Sequence, residues 1–318
     1  MALYNNFIGI DIGKFTFVTA IHGKKETKEY KNNLEGITSF IKDHQNIIAN
    51  SLCIVEATGG YEINLLITLC KQDFKVHRAN TRKVKNFIRS LGNEAKTDVL
   101  DARFLALYGF ERSDRLELFQ PQSTKNIELR ELVQRRSDLK QILVAEKNRL
   151  QSPKPDFVKA SCNAVMEVIL KEVTAIDEQI NLLISENQSL QAKKDIIKTV
   201  PGIGNVVANE LLIMLPELGT LDRRKIASLA GLAPKANDSG TLNGYRRVAN
   251  GRNCVKPILF LAAMAARNSK SVLRTFYEKL IARGKKKMVA LTALMRKIIV
   301  IANAKLRYLE ASSVLQKI

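Results

Sequence analysis

The stretch Phe7-Ile8-Gly9-Ile10-Asp11-Ile12, closed by Gly13-Lys14, decides how the first third of this sequence is read. An apolar run bounded by a glycine-containing turn is a short β-strand. Asp11 stands in the middle of that run, where an unpaired carboxylate is costly to bury. Working outward, Phe15–Ile21 is β-rich, and the charges of Lys24–Lys31 suit a solvent-facing edge strand. Leu34, Ile37, Phe40 and Ile41 have helical spacing, which predicts a helix over Leu34–His44. Leu52-Cys-Ile-Val-Glu56 reads as a buried strand that ends on a second awkwardly placed carboxylate. Tyr61–Gln72 reads as a helix, Phe74–Arg78 as a strand, and Arg82–Leu91 and Thr97–Tyr108 as helices.

Three strands, a helix, a strand, a helix, a strand and then helices is the order of an RNase H-like sheet. The middle of the chain changes character. Leu132, Leu139, Leu143 and Leu150, and then Ile169, Val173, Ile176, Ile180 and Leu183, are seam patterns of long helices. Pro153 and Pro155 separate them, since proline cannot continue a helix interior. The pair is either an antiparallel coiled-coil arm over Thr124–Ala192 or two helices of an ordinary bundle. The last third is mainly helical. Helices are expected over Asn205–Leu215, Asp222–Ala230, Val255–Asn268, Ser271–Arg283 and Lys287–Leu309, with a Gly/Asn-rich loop over Pro234–Asn253. The expected fold is thus α/β followed by α, with domains at 1–122, 123–194 and 195–318.

Charge is distributed unevenly over these segments. The 318 residues carry a net +20, of which residues 1–120 contribute +3, 121–200 contribute +2 and 201–318 contribute +15. A basic excess of this size points to nucleic acid as a partner. The four cysteines include no C-x-x-C pair, which argues against a zinc ribbon or a disulfide scaffold. The N-terminus lacks the features of a signal peptide. The longest apolar stretch, Met288–Leu306, carries Arg296 and Lys297 at its middle, so no membrane partner is expected. The sequence reads as a reduced, cytoplasmic protein.

Three constellations bear on chemistry. Asp98 and Asp101 are three residues apart on one helix face, and close like charges call for a compensating cation. Together with Asp11 and Glu56 they form a set of four carboxylates able to hold two Mg²⁺ ions, a suitable arrangement for phosphodiester displacement. The second constellation is a loop in which Ser239-Gly240 is followed by Arg246, Arg247, Arg252 and Lys256, so a hydroxyl lies among phosphate-binding cations. The third is Pro201-Gly202-Ile203-Gly204 before a helix, as in helix-hairpin-helix DNA-binding elements, where glycines let backbone N–H groups approach phosphate. The run Lys285-Lys286-Lys287 adds backbone-binding charge.

In combination these residues resemble the DEDD-type transposases and DNA invertases of the Piv/MooV kind, the enzymes of bridge-RNA-guided insertion sequences. Phe7–Lys14 looks like the first Asp motif, Val55-Glu56-Ala-Thr-Gly-Gly-Tyr61 like the Glu motif, and Lys96-Thr-Asp98-Val-Leu-Asp101-Ala102 like the Asp-x-x-Asp motif. Pro201–Gly204, Gly231–Pro234 and Asp238–Gly240 match the C-terminal transposase domain. The resemblance implies a RuvC-like domain holding Mg²⁺, a coiled-coil arm for homo-oligomer assembly, and a serine-bearing domain in which Ser239 attacks double-stranded DNA. It further implies a structured guide RNA and an acidic site completed across protomers. Three other classes fit the residues less well. A sugar-kinase or actin-like ATPase needs a second phosphate loop that this sequence lacks. A RuvC-type nuclease or junction resolvase uses the carboxylates without the serine, and a plain DNA-binding protein leaves the strand carboxylates unexplained.

Overall fold

A computed structural model describes residues 4–92, 97–121, 123–236, 238–241, 244 and 246–315. The chain divides into two compact units, Met1–Gln122 and Ser123–Ile318.

The first unit is built on a five-stranded sheet comprising β1 (Asn6–Ile12), β2 (Thr16–Ile21), β3 (Thr27–Lys31), β4 (Ser51–Glu56) and β5 (Lys75–Ala79). Their spatial order is β3-β2-β1-β4-β5, antiparallel through the first three and parallel from β1 through β4 to β5. Side chains alternate between the two faces of a strand, and here both faces are covered. Ile8, Ile10, Ile12, Cys53 and Val55 enter a core with Ile37 and Phe40 of α1 (Leu34–Asp43) and Leu65, Leu66 and Leu69 of α2 (Ile63–Lys71). Phe7, Leu52 and Ile54 face the other side. There they meet Val84 and Phe87 of α3 (Thr81–Ser90) and Leu105 and Tyr108 of α4 (Asp98–Arg112). Burial on both faces is why these strands read as continuous apolar runs. The edge strand is shorter than expected, beginning at Thr27, and α2 begins at Ile63 instead of Tyr61.

Gly9 sets how closely α4 lies on the sheet. A Cβ at this position would stand 2.0 Å from the Ala102 carbonyl oxygen and 2.3 Å from the Ala106 nitrogen. Both alanines are buried, so the contact is backbone against backbone with no flexible side chain to yield. Gly9→Ala is therefore expected to cost about 1–3 kcal/mol through overpacking. The substitution should also lift α4, and the carboxylates α4 carries, off β1. Thermal melts of the variant against wild type read the cost in stability.

The second unit begins with two long helices, α5 (Thr124–Arg149) and α6 (Asp156–Ser185). They pack antiparallel: Leu129 and Val133 meet Ile180, Leu183 and Ile184, while Leu139 and Leu143 meet Ile169 and Val173. The α6 seam is the one expected. On α5 the buried line runs through Leu129, Val133, Leu139 and Leu143, with Leu132 and Leu150 only half-buried. The long helix also stops earlier than expected, at Ser185. Asn187 then caps α7 (Gln188–Lys198) by accepting from the Leu190 N–H at 3.1 Å, a stop that the apolar seam does not encode. Arg136 ties this hairpin to α8 (Asn205–Met214), donating to Asp177 at 2.6 Å and to Glu210 at 2.9 Å.

The remaining elements are α9 (Arg223–Leu229), the short antiparallel pair β6 (Pro234–Lys235) and β7 (Arg247–Val248), α10 (Val255–Asn268), α11 (Val272–Ala282) and α12 (Lys287–Leu315). Leu259, Ala262, Ala263 and Ala266 of α10 and Leu294, Ile298 and Ala302 of α12 form the centre of their shared core. The stretch expected to be a plain loop over Pro234–Asn253 is thus partly paired, and α12 runs past Leu309. Among the described residues no helix is long and apolar enough to cross a membrane. The four cysteines are free thiols.

Candidate active site

The register of the parallel pair β1 and β4 places Asn6 against Ser51 and Ile10 against Val55, so the next pair along is Asp11 beside Glu56. Both follow the alternation of Gly9 and Ile54, which puts them on the face covered by α4. On that helix Asp98 and Asp101 occupy the first turn. Thr97 caps the turn, its hydroxyl oxygen accepting from the Leu100 N–H at 3.2 Å. Asp11, Glu56, Asp98 and Asp101 all line one cavity of about 930 Å³ at the carboxyl-terminal ends of the strands. Asp11, Glu56 and Asp101 are half-buried and Asp98 is exposed. Lys96, which begins the Asp-x-x-Asp motif, lies outside the described residues.

Sequence reasoning missed two cations that share this cavity. Lys85 and Arg89 of α3 line it together with the acidic set. Their i, i+4 spacing within Arg82-Lys83-x-Lys85-x-x-x-Arg89 was the available signal. Asn80 fixes the start of this helix by accepting from the N–H groups of Arg82 at 3.0 Å and Lys83 at 3.2 Å. Among the described residues no three His, Cys, Asp or Glu side chains are gathered tightly enough to form a ready-made metal cluster. The donor set nonetheless fits a hard divalent cation, since it consists of carboxylate oxygens in an open, polar cavity.

A third residue that the sequence did not announce organises the loop after Glu56. Glu62 is wholly buried. Its carboxylate accepts from the N–H groups of Thr58 at 3.2 Å and Gly60 at 2.9 Å, and from Arg78 Nη2 at 2.5 Å and Nε at 3.1 Å. Burial works to raise the carboxyl pKa, but the backbone donors and the Arg78 guanidinium outweigh it and hold the group below the usual carboxylate range. Arg78→Ala should therefore destabilise the first unit by about 2 kcal/mol. That is less than for a fully buried pair, because the Arg78 side chain is 33% exposed and the backbone donors remain. A lowered folded-state pKa contributes stability above the ordinary carboxylate range and loses it as pH falls through the folded value. The stability gap between wild type and Arg78→Ala, read by denaturant titration, should accordingly be full at neutral pH and close in acid.

Ser239 lies in the segment between β6 and β7 and is exposed. Asp238 braces this segment, accepting from the Gly244 N–H at 3.1 Å and standing 3.6 Å from Arg246 Nη2. Arg246 and Arg247 are exposed nearby. Arg252 has a different environment from that expected of a phosphate-binding cation. Its guanidinium engages the Glu217 carboxylate through both terminal nitrogens and bonds the Met214 carbonyl oxygen at 3.0 Å. The charge expected to clamp phosphate is compensated within the fold, where it ties the end of the loop to the turn after α8. Lys256, half-buried in the first turn of α10, lies against Gly231.

Gly202 has a positive φ of 92°, and a Cβ there would meet the Ala262 carbonyl oxygen at 2.2 Å. Packing against α10 is thus sufficient reason for glycine at this position. Gly204 is exposed at the start of α8, which has no side-chain cap. Lys285, Lys286 and Lys287 are exposed where α12 begins.

Comparison with known proteins finds related sequences over most of the chain. Residues 8–153 match the transposase family DEDD_Tnp_IS110, and residues 194–278 match the Transposase IS116/IS110/IS902 family. The pilin gene-inverting proteins of Moraxella lacunata and Moraxella bovis are each 29% identical over 310 residues, covering 95% of this chain and 95% of theirs. An uncharacterized 43.6 kDa protein of insertion element IS110 from Streptomyces coelicolor is 32% identical over 155 residues, 48% of this chain and 37% of its own. DEDD transposases imply an RNase H-like fold for the first unit, consistent with its sheet order, and suggest use of a divalent metal. The chain belongs to the IS110-type transposase/recombinase family and is a DNA-recombining enzyme.

Proposed function

We propose that this protein is an insertion-sequence transposase that cleaves and exchanges DNA strands in a Mg²⁺-dependent reaction, with Ser239 as nucleophile. The observation that carries the reading is that Asp11, Glu56, Asp98 and Asp101, drawn from two strands and a helix, line one cavity. Asp11, Glu56, Asp98 and Asp101 would hold the metal, which when bound supplies Lewis-acid stabilisation of charge on the phosphoryl oxygens. Lys85 and Arg89, on the same cavity, hold the phosphate backbone against the acidic set.

Ser239 is supported by its exposure on a braced loop beside Arg246 and Arg247. Its Oγ attacks the scissile phosphorus, the hydroxyl proton passes to a base, and the leaving deoxyribose oxygen takes up a proton. The product is a phosphoserine link that retains the energy of the broken phosphodiester. Attack on that link by the hydroxyl of another strand releases Ser239 and completes exchange. The α5–α6 hairpin acts as a coiled-coil arm in a homo-oligomer, and Gly202 and Gly204 form a helix-hairpin-helix-like DNA contact. The +15 charge of residues 201–318 serves double-stranded DNA and a structured guide RNA. The setting is the prokaryotic cytoplasm.

The test mixes full-length protein with DNA carrying element ends, candidate guide RNA and either Mg²⁺ or a chelator, and reads covalent protein–DNA adduct. The reading expects adduct only with metal, and more of it with the cognate RNA. Equal yield under chelation contradicts the metal assignment, and equal yield with unrelated RNA contradicts guidance.

A further inference from the structure

The apolar stretch interrupted by Arg296 and Lys297 has a second meaning in the folded protein. One face of α12 forms the floor of a groove of about 990 Å³ in the second unit, within the size range of ligand sites, about 300–1,000 Å³. Met288, Val289, Ala293 and Val300 contribute that floor, with Phe276 of α11 and Leu232 beside them. Arg223, Arg224, Arg246, Arg247, Arg296 and Lys297 form its rim. Lys297 Nζ stands 4.1 Å above the Phe276 ring.

Among the described residues no carboxylate lines this groove, and apart from the long Arg246–Asp238 contact none of the rim cations forms an ion pair. Gathering six cations over an apolar floor, with only Asp238 beside Arg246 and Asp222 near Arg224 to offset them, leaves an excess of positive charge that an anion would complete. The anion must also bring something apolar, because exposed side chains such as Met288, at 60% exposure, otherwise face water. A nucleotide satisfies both requirements, with phosphates on the rim and a base face on the floor. In a duplex the base faces are already covered by their neighbours, so only an unpaired strand gains from such a floor. The hydroxyl of Thr292 is already donated to the Met288 carbonyl oxygen at 2.8 Å, so toward a ribose 2′-hydroxyl it has only its own oxygen to accept with. Methyl and methylene groups otherwise make the floor, which favours deoxyribose.

We infer that this groove is a binding site for an unpaired DNA strand, with the base stacked at Phe276 and Lys297 and the backbone held by the arginines. Pro234, Arg247 and Val248 bring the strand pair β6–β7 into its wall, so the bound strand leads toward the loop carrying Ser239. This places it next to the scissile phosphate, and that role rests on the Ser239 reading. The binding itself does not.

The test measures the affinity of full-length protein for short DNA duplexes, either blunt or carrying a single-stranded overhang labelled with 2-aminopurine. The overhang should tighten binding about tenfold, the scale of one or two stacked bases, and change the 2-aminopurine emission. Met288→Glu and Lys297→Ala, both at exposed positions, should erase that gain and leave blunt-duplex affinity within about twofold, consistent with loss of one local contact. Lys270→Ala, an exposed charge outside the groove, should leave the gain intact. Ser239→Ala should also keep it, which distinguishes failure of the groove from failure of the nucleophile.

No overhang gain in wild type, or an undiminished gain in Met288→Glu, overturns the proposal. So does a loss in Met288→Glu that is equal for blunt and overhang duplexes, which would make the groove a duplex site. An equal gain from an RNA overhang overturns the assignment to DNA. A smaller assembly for Met288→Glu in sedimentation would mean that a second copy covers the groove, and would overturn it as well.

Discussion

Asp11→Asn should lower metal-dependent strand cleavage by about a thousandfold or more while leaving the fold intact. Asparagine keeps the size and shape of aspartate and removes one negative charge from a set of four that lines a single cavity. Losing one anionic oxygen donor weakens the hold on a divalent cation, and a misplaced Lewis acid forfeits several kcal/mol of transition-state stabilisation. At about 1.4 kcal/mol per factor of ten, the rate falls by about three orders of magnitude. A readout independent of cleavage accompanies this. A ligand that binds only the native state raises the melting temperature, so Mg²⁺ should stabilise the wild type against heat and should stabilise Asp11→Asn much less. If the variant cleaves at the wild-type rate, the acidic cavity is not the metal site.

Ser239→Ala should abolish the covalent protein–DNA adduct, with cleavage through that route falling about ten-thousandfold or more, as when other serine nucleophiles are removed. The side chain is exposed, so its loss leaves no cavity and stability should be unchanged. Blunt-duplex binding should persist as well, because the arginines supply the phosphate contacts. Retention of DNA binding with loss of the adduct separates a chemical role from a binding one. An adduct of normal yield from Ser239→Ala would mean that another hydroxyl, or no protein nucleophile, performs the displacement.

The first unit was largely legible in the sequence because its signals are local. A carboxylate inside an apolar strand is anomalous at Asp11 and at Glu56, and the three-residue spacing of Asp98 and Asp101 fixes their shared face. Other contributors needed the fold. Lys85 and Arg89 read as an ordinary solvated helix face until α3 is seen to line the acidic cavity. Glu62 reads as a charge beside a helix start, and only its burial against Arg78, 16 residues later, reveals the loop it holds. Arg252 resembled its basic neighbours because its partner Glu217 lies 35 residues away. The end of α6 was missed for a physical reason: the apolar seam persists, and the helix stops because Asn187 offers its side chain to the next helix's N–H. Arg296 and Lys297 spoke in the sequence only against a membrane span, and in the fold they rim a groove.

The most direct measurement of the central claim is mass spectrometry of the protein–DNA adduct formed with Mg²⁺ and element-end DNA, digested to locate the residue bonded to phosphorus. The account predicts a single nucleotide-bearing peptide with the modification on Ser239, absent from both Asp11→Asn and chelator-treated wild type. A modification on another residue, or a Ser239 adduct undiminished when Asp11 is replaced or metal is removed, would contradict it.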